Sequence, residues 1–468
     1  MVMEQRKESP EVAVIGGGPA GLAAALRLAL CGKRVGLWER HTRLGGMNSW
    51  YLRQGRVVDT GLHALTNLAP PQETAAPLNQ LLRQLRIRRQ ELNLTPQNRS
   101  RIRFPQGEVV LTNDFSAVEA QFRRLFPGDF PGFTTLVEEL RRRGYGGGAP
   151  QGESANALLE KHLASPAFRD MLRFPVFFYG CPSPEDMEAN AFATMFRSIF
   201  LEGLGRPAGG MRPFLETLES HLRREEVALH LGDAVEEILL SPEGRLRGIR
   251  TRQAGEIPVS QVVSTIGARE TAALCPPGAL PRLEECPAGE ICFLEAIFTL
   301  PKPPAHYGFQ DAVLFLCRTP EFAFAPTDRG EEQALLVCAP GNYQGEEESS
   351  EATLLRISAM TRKELWDKAQ DPQKYEHRKR QAAESLRQAL EQDFPALAQA
   401  ATLLDVFTPH TVQAFTGHVH GAIYGSPKKL SQGETGIPGL LLAGTDQGLL
   451  GIVGALLSGV LAANALAR

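Results

Sequence analysis

The chain is expected to fold as an α/β protein in which a doubly wound parallel sheet, gathered from three separated chain segments, carries an inserted α+β domain. Three observations lead to the parallel sheet. Residues 12–16 read VAVIG, a short continuous apolar run suited to a strand buried on both faces. A glycine cluster follows without a gap and opens LAAALRLALCG, a run of helix formers that ends at Gly32. A second apolar run, RVGLW, comes next and ends at Glu39, 18 residues past Gly21.

At 468 residues the chain is too long for one compact core, so about two domains are expected. The composition, 43% hydrophobic and 22% charged, is that of a soluble globular chain and excludes disorder as the main state. Fifty basic against 53 acidic side chains argue against nucleic acid as a partner. The cysteines (Cys31, Cys181, Cys275, Cys286, Cys292, Cys317, Cys338) are odd in number, form no CxxC pair and sit mostly among apolar neighbours. They read as buried small hydrophobes in a reducing, cytoplasmic compartment rather than as a disulfide framework or metal site. The opening MVMEQRKESP is charged and lacks the apolar region of a secretory signal, and no uninterrupted apolar run has the length of a membrane span.

Gly16-Gly17-Gly18-Pro19-Ala20-Gly21 is a GxGxxG between strand and helix, and each glycine has a job in binding a dinucleotide. Gly16 permits the tight turn, Gly18 lets a pyrophosphate approach the backbone, and Gly21 lets helix and strand pack closely. The helix N-terminus offers unpaired N–H groups to the phosphates, and Glu39 is placed to accept hydrogen bonds from a ribose. A glycine-rich turn alone is a weak sign; strand, helix, second strand and acid at the required spacing make it a strong one.

After the acid comes RHTRLGGMNSW. Glu39, Arg40, Arg43, Gly45, Gly46 and Met47 resemble the extended signature of FAD-binding proteins of the amine oxidase, phytoene desaturase and protoporphyrinogen oxidase superfamily. The resemblance implies a Rossmann-type FAD-binding domain. The glycine pair would pass beside the pyrophosphate and flavin, with the arginine helping to hold the phosphates; Met47 stands where a basic or polar residue is usual. Asp59-Thr60-Gly61-Leu62-His63 looks like the D-x-G-x-H element of carotenoid isomerases and retinol saturases, which lies close to the flavin ring. His63 is therefore read either as a hydrogen-bonded core residue or as a catalytic, substrate-touching one.

The C-terminal GIPGLLLAGTDQGLLGIVGALLSGVLAANALAR reads as turn, strand (440–443), glycine loop and small-residue helix. It resembles the same superfamily's second FAD motif. There Gly444 and Asp446 would meet the ribityl chain, and the helix N-terminus at Gly451, Ile452 and Val453 would meet the flavin pyrimidine. A third piece, 205–267, follows the same family order, with the backbone near Val235 contacting adenine. Because distant segments fit one cofactor, FAD is expected. The FAD domain is taken as 1–71, 205–280 and 433–468, and the substrate domain as 72–204 and 281–432.

Within the first insertion, LNQLLRQLRIRR, AVEAQFRRLF and FTTLVEELRRR have helical apolar spacing with arginines between. They are read as surface helices, with peripheral contact to a membrane surface as the alternative. GYGGGAPQGE is read as a flexible connector. In the second insertion, ICFLEAIFTL, AVLFLC and ALLVCA are expected as strands forming one wall of a substrate cavity. Thr408-Pro409-His410-Thr411, Gly417 and Gly421-Ala422-Ile423-Tyr424-Gly425 look like the TP-x-T…G…G-x-x-YG tract of phytoene desaturases, carotenoid isomerases and retinol saturases. His410, His418, His420 and Tyr424 are the polar candidates of that tract. An extended His418-x-His420 would put both rings on one face and would suit metal ligation, but no third ligand is visible and structural use is preferred.

The resemblance implies an apolar polyprenoid, carotenoid or retinoid-like substrate whose carbon–carbon bonds are desaturated, saturated or isomerised. Two rivals stand beside it. A flavin amine oxidase needs an aromatic cage, for which only Trp38, Trp50 and Trp366 are present as tryptophans and no cage tract is recognised. A lipid-binding protein like the Rab GDP-dissociation inhibitors would leave Asp446 and its glycine loop without a purpose.

Overall fold

The computed structural model describes residues 9–61, 63–143, 152–324, 333–368 and 371–468. Most of the stretch 144–153, read above as a connector, lies outside them. The apolar runs of the glycine motif form Val12–Ile15 and Val35–Glu39, every residue of which is buried. They belong to a five-stranded sheet ordered Leu440–Leu442, Gln261–Ser264, Val12–Ile15, Val35–Glu39, Ala228–Leu231, and every pairing in it is parallel. The first strand lies at the centre, and the chain leaves it to opposite sides. Its carboxyl end is therefore the crevice where open α/β sheets bind ligands.

Helix Pro19–Leu30 covers this sheet together with Gly451–Leu466, Pro77–Leu85 and Met211–Arg224, sharing one apolar core that includes Leu22, Leu81, Phe214 and Leu456. The first and last helices cross backbone to backbone: a Cβ on Gly459 would collide with the Ala20 carbonyl and come within 2.9 Å of Ala24 N. The last helix of the chain is thus a packing element of the first motif. A three-stranded antiparallel sheet, Val235–Leu240, Leu246–Thr251 and Gly255–Pro258, attaches beside Glu39.

The apolar runs expected as strands form Cys292–Thr299, Val313–Cys317 and Ala334–Cys338. They pair with Leu354–Thr361, Thr402–Phe407, Ser100–Phe104 and Gly107–Leu111 in one seven-stranded sheet, so both insertions contribute to it. Strand alternation gives this sheet two faces. Leu294, Ala296, Phe298, Ile357 and Ala359 meet Leu386 and Leu390 of helix Pro372–Glu391 on one side. Phe315, Leu336, Cys338 and Met360 join a phenylalanine-rich core on the other, with helices Phe115–Leu125, Phe130–Arg143, Pro166–Gly180 and Ala189–Phe196. The arginine-bearing patterns of the first insertion are helices as expected. Cys31 is exposed and the other six cysteines are buried, all as free thiols. Among the described residues no helix is long and apolar enough to cross a membrane.

The crossing of first and last helices gives a stability test. Gly459→Ala forces backbone apart and is expected to cost about 1–3 kcal/mol, read by denaturant unfolding. Leu461→Ala on the outer face, where the side chain is 46% exposed, should change stability by less than about 0.5 kcal/mol.

Candidate functional site

At the end of the central strand Gly16 takes φ +102°, a left-handed conformation open to glycine, and the chain turns into the helix. Gly21 sits so close that a Cβ would collide with the Gly16 carbonyl, whereas a Cβ on Gly18 would meet nothing within 4 Å. The loop is closed on its inner side and open at Gly18. Gly18 caps the helix without a side chain, and no acid occupies the first turn, so its N–H groups face this opening unspent. Glu39 is buried; Gly17 N–H donates to its Oε2 at 2.7 Å and His41 N–H to its Oε1 at 2.7 Å. The acid thus also fixes the loop.

The Gly45-Gly46 turn lies over this loop: Gly45 N–H donates to Gly17 O at 2.8 Å, and a Cβ on Gly46 would stand 3.3 Å from Gly18 Cα. Arg43 stacks on Trp50 with its guanidinium carbon 4.8 Å from the ring centre, while exposed Arg40 donates to Ala414 O at 2.9 Å. Val235 is brought alongside by Asp233 N–H, which donates to Glu39 O at 3.1 Å, and by Gly232 N–H, which donates to His41 O at 3.0 Å.

The C-terminal motif meets the same crevice, because a Cβ on Gly444 would lie 4.0 Å from Ala20 Cβ. Asp446 is buried, and both its oxygens accept backbone N–H groups, from Ala268 at 2.7 Å and Ser426 at 2.8 Å. It thereby ties the glycine loop to two other segments. Helix Gly451–Leu466 starts with no side-chain cap, which leaves the N–H groups of Gly451, Ile452 and Val453 without an intrahelical acceptor.

A segment the sequence only partly flagged runs between the two motifs. Thr60 Oγ1 donates to Met47 O at 2.8 Å, beside the glycine pair, and Thr66 Oγ1 lies 3.5 Å from where a Gly451 Cβ would be. Residues 60–66 therefore bridge the two open ends. Fully buried Arg206 pairs with Asp59 at 2.9 Å and with Glu351. Met211 N–H donates to Asp59 Oδ1 at 2.9 Å, which anchors the start of its helix. Fully buried Arg356 donates to Thr60 O at 3.1 Å and pairs with Glu295. His63 Nε2 lies 2.6 Å from Glu295 Oε2 and 2.9 Å from Ser358 Oγ, while the Tyr343 hydroxyl donates to the His63 carbonyl at 2.8 Å. Burial works to raise the Glu295 carboxyl, but Arg356 and His63 overcome it and hold it at about 2. Burial and the Glu351 carboxylate push Asp59 upward, against Arg206.

The remaining candidates are placed differently. The segment 418–421 is a tight turn in which His420 takes φ +64°, so the extended conformation that would have put both rings on one face is not adopted. The two rings consequently diverge: His418 Nδ1 sits 3.8 Å from Glu270 Oε1, and the His420 ring meets Lys363 Nζ at 3.0 Å. Among the described residues no three His, Cys, Asp or Glu gather as a metal site. The Tyr424 hydroxyl donates to the Phe178 carbonyl, and its ring packs 6.1 Å from Phe293. Sequence reasoning missed Arg206, Glu295, Glu351, Arg356 and Ser358. The visible signal was a charge inside an apolar strand, Glu295 in ICFLEAIFTL and Arg356 in LLRISAM.

Glu202, also unforeseen, is buried, and Asn67 Nδ2 donates to its Oε2 at 3.0 Å. Burial raises its carboxyl to about 7, more than the Asn67 bond lowers it. A raised carboxyl favours the folded state when protonated, so this contribution is full below about pH 4.5 and is lost as pH rises through about 7. Glu202→Gln is expected to flatten that fall and to stabilise the protein at pH 8 by roughly 2–3 kcal/mol, read as unfolding free energy against pH.

Residues 19–467 match the family model described as flavin-containing amine oxidoreductase. A neurosporene-forming phytoene desaturase of Rhodobacter capsulatus is 27% identical over 285 residues, 55% of this chain and 52% of that enzyme. The match thus spans about half the length of that curated relative. An oxidoreductase from Methanosarcina mazei superposes with a TM-score of 0.69 at 18% identity, covering 96% of this chain and 98% of that one. Cyclohexylamine oxidase from Brevibacterium oxydans gives 0.63 at 14%, covering 98% and 99%. At those identities the likeness to the two solved structures is one of fold.

Proposed function

The chain belongs to the family of flavin-containing amine oxidoreductases, and on that premise we propose that it is an FAD-dependent oxidoreductase acting on carbon–carbon bonds of an apolar polyprenoid, carotenoid or retinoid-like substrate. The donors and gaps fit the cofactor. The open side at Gly18 with Pro19, Ala20 and Gly21 and the turn Gly45–Met47 would take the pyrophosphate, Glu39 the ribose, and Val235 the adenine. Gly444 and Asp446 would border the ribityl chain, with Gly451, Ile452 and Val453 offering N–H groups to the pyrimidine. Bound FAD supplies the electron chemistry, and the chain's own residues bind, orient and exclude water.

One observation favours an apolar substrate over an amine. The sheet face turned toward residues 60–66 carries Phe293, whose ring lies 4.6 Å from Phe178, together with Leu336, Met360 and Cys338. Its carboxylate, Glu295, is already neutralised by Arg356, so it offers no counter-charge to an ammonium group. Phe293 and Tyr424 keep part of their surface accessible on that wall. Leu336, Cys338 and Met360 are packed into the core behind these two rings, and the accessible aromatic surface suits a hydrocarbon better than a charged group. On this reading His63 would face the flavin from this wall, while Tyr424, His418 and His420, engaged with Phe178, Glu270 and Lys363, would have structural roles.

The purified protein is expected to carry flavin absorption that is released as FAD on denaturation. An added polyene should perturb or bleach that absorption anaerobically, and alkyl amines should leave it unchanged. Bleaching by amines alone would move the amine-oxidase reading to first place. Gly18→Val, which fills the open side of the loop, is expected to weaken FAD binding at least about tenfold, measured by fluorescence titration of the apoprotein.

A further inference from the structure

Of the buried carboxyls along the run 59–67, Asp59, Glu295 and Glu351 are matched by Arg206 and Arg356. Glu202 is not. Asn67 is its hydrogen-bond partner, and among the described residues no cation bears on it. The charged group that does is Glu73, another acid, which faces Arg197 in turn. A buried carboxylate without a cation is destabilising, and a glutamine would accept the same bond from Asn67 without that penalty. What an amide cannot do is take up a proton.

The surroundings of Glu202 lead toward the cofactor. Asn67 Nδ2 donates to Glu202 Oε2 at 3.0 Å, and Thr66 Oγ1 donates to Asn67 Oδ1 at 3.1 Å, all three residues being buried. Thr66 Oγ1 is in turn the nearest atom, at 3.5 Å, to where a Cβ on Gly451 would stand. Gly451 opens the last helix, whose first N–H groups are the donors offered to the flavin pyrimidine. A short buried chain of hydrogen bonds therefore joins the carboxyl to that helix end. The chain is held firmly. Asn67 takes φ +64°, strained for a residue with a side chain, and its N–H donates to Ser198 O at 3.0 Å. Leu65 N–H donates to Gly205 O at 2.7 Å and Leu68 N–H to Gly203 O at 3.3 Å. Ser198 belongs to the π-helical turn Arg197–Leu201, which Glu202 follows directly, its N–H donating to Arg197 O at 2.9 Å.

Reduction places negative charge on the pyrimidine end of a flavin, and a helix N-terminus there offsets part of it. A carboxylate at the far end of the chain opposes that charge, because like charges in a buried site raise each other's proton affinity. Burial already holds Glu202 at about 7, so around pH 8 it is mostly ionised and a modest further rise protonates it.

We propose that Glu202 is a proton acceptor coupled to the flavin: as bound FAD is reduced, the Glu202 carboxylate becomes the acid and the buried site gains no net charge. Two electrons from the reductant and one proton give the anionic reduced flavin. A second proton, from solvent, gives the Glu202 acid, and reoxidation releases both protons. Asn67 and Thr66 are positioning residues. This rests on FAD lying in the crevice and is independent of the substrate.

The test is the reduction potential of the bound FAD around pH 8, followed by absorption with an electrode as the reductant. Its slope against pH counts protons, each contributing about 30 mV per pH unit to a two-electron couple. The protein is expected to show a slope approaching two protons. Glu202→Gln, which keeps an acceptor for Asn67 but cannot be protonated, should lower it to one at unchanged FAD content, and Glu202→Asp should recover part of the second. A one-proton slope in the unaltered protein, or a two-proton slope that persists in Glu202→Gln, would overturn the assignment while leaving FAD in its place. A protein that takes up no FAD would overturn the cofactor site itself.

Discussion

Arg206 and Arg356 are fully buried, and each is the counter-charge of carboxylates that come from distant parts of the chain. Asp59 comes from the end of the first motif region, Glu351 from the loop before strand Leu354–Thr361, and Glu295 from the middle of the seven-stranded sheet. A buried ion pair adds little net stability over well-packed apolar residues, but breaking one leaves an uncompensated charge and costs about 3–5 kcal/mol. That asymmetry is the constraint here. The segment 59–63 cannot slide along the sheet, nor the sheet along the segment, without stranding a charge.

Much of the crevice inherits its geometry from this constraint. Asp59 accepts Met211 N–H and so sets the start of helix Met211–Arg224, which shares its apolar core with the first and last helices. Thr60, held at its carbonyl by Arg356, reaches Met47 and thus the Gly45-Gly46 turn over the glycine loop. Thr66 ends the run beside Gly451, where the last helix begins. The chain thus runs from the turn over the glycine loop, past the sheet strand that carries Glu295, to the start of the last helix. His63 stands in the stretch that joins them, with its ring direction dictated by Glu295.

The glycine motif was legible because its physics is local. Strand, turn and helix follow from neighbouring residues, and Gly16 to Gly21 can hardly fold otherwise. The apolar strands of the second insertion were legible for the same reason, since Cys292–Thr299 and Ala334–Cys338 read as strands by composition alone. The partners of His63 were not, because Glu295 and Arg356 stand 61 residues apart and meet only through sheet register. For His418 and His420 the sequence reading hung on whether their segment is extended. Alternation assumed an extended chain, and a residue at positive φ after Gly417 turned the rings apart. Asp446 was found by motif, yet its two backbone partners, Ala268 and Ser426, come from segments no spacing rule connects.

The central claim is that the separated segments of this chain close on one FAD and that residues 60–66 lie along it. Amide hydrogen exchange of the apoprotein, before and after reconstitution with FAD, tests that claim most directly. The account predicts protection gained together in residues 16–22, 45–48, 232–236, 444–453 and 60–66, with the outer helix Pro372–Glu391 unchanged. Protection confined to 16–22 and 232–236, with 60–66 and 444–453 exchanging as before, would mean that a nucleotide binds the first motif alone, and it would contradict the account.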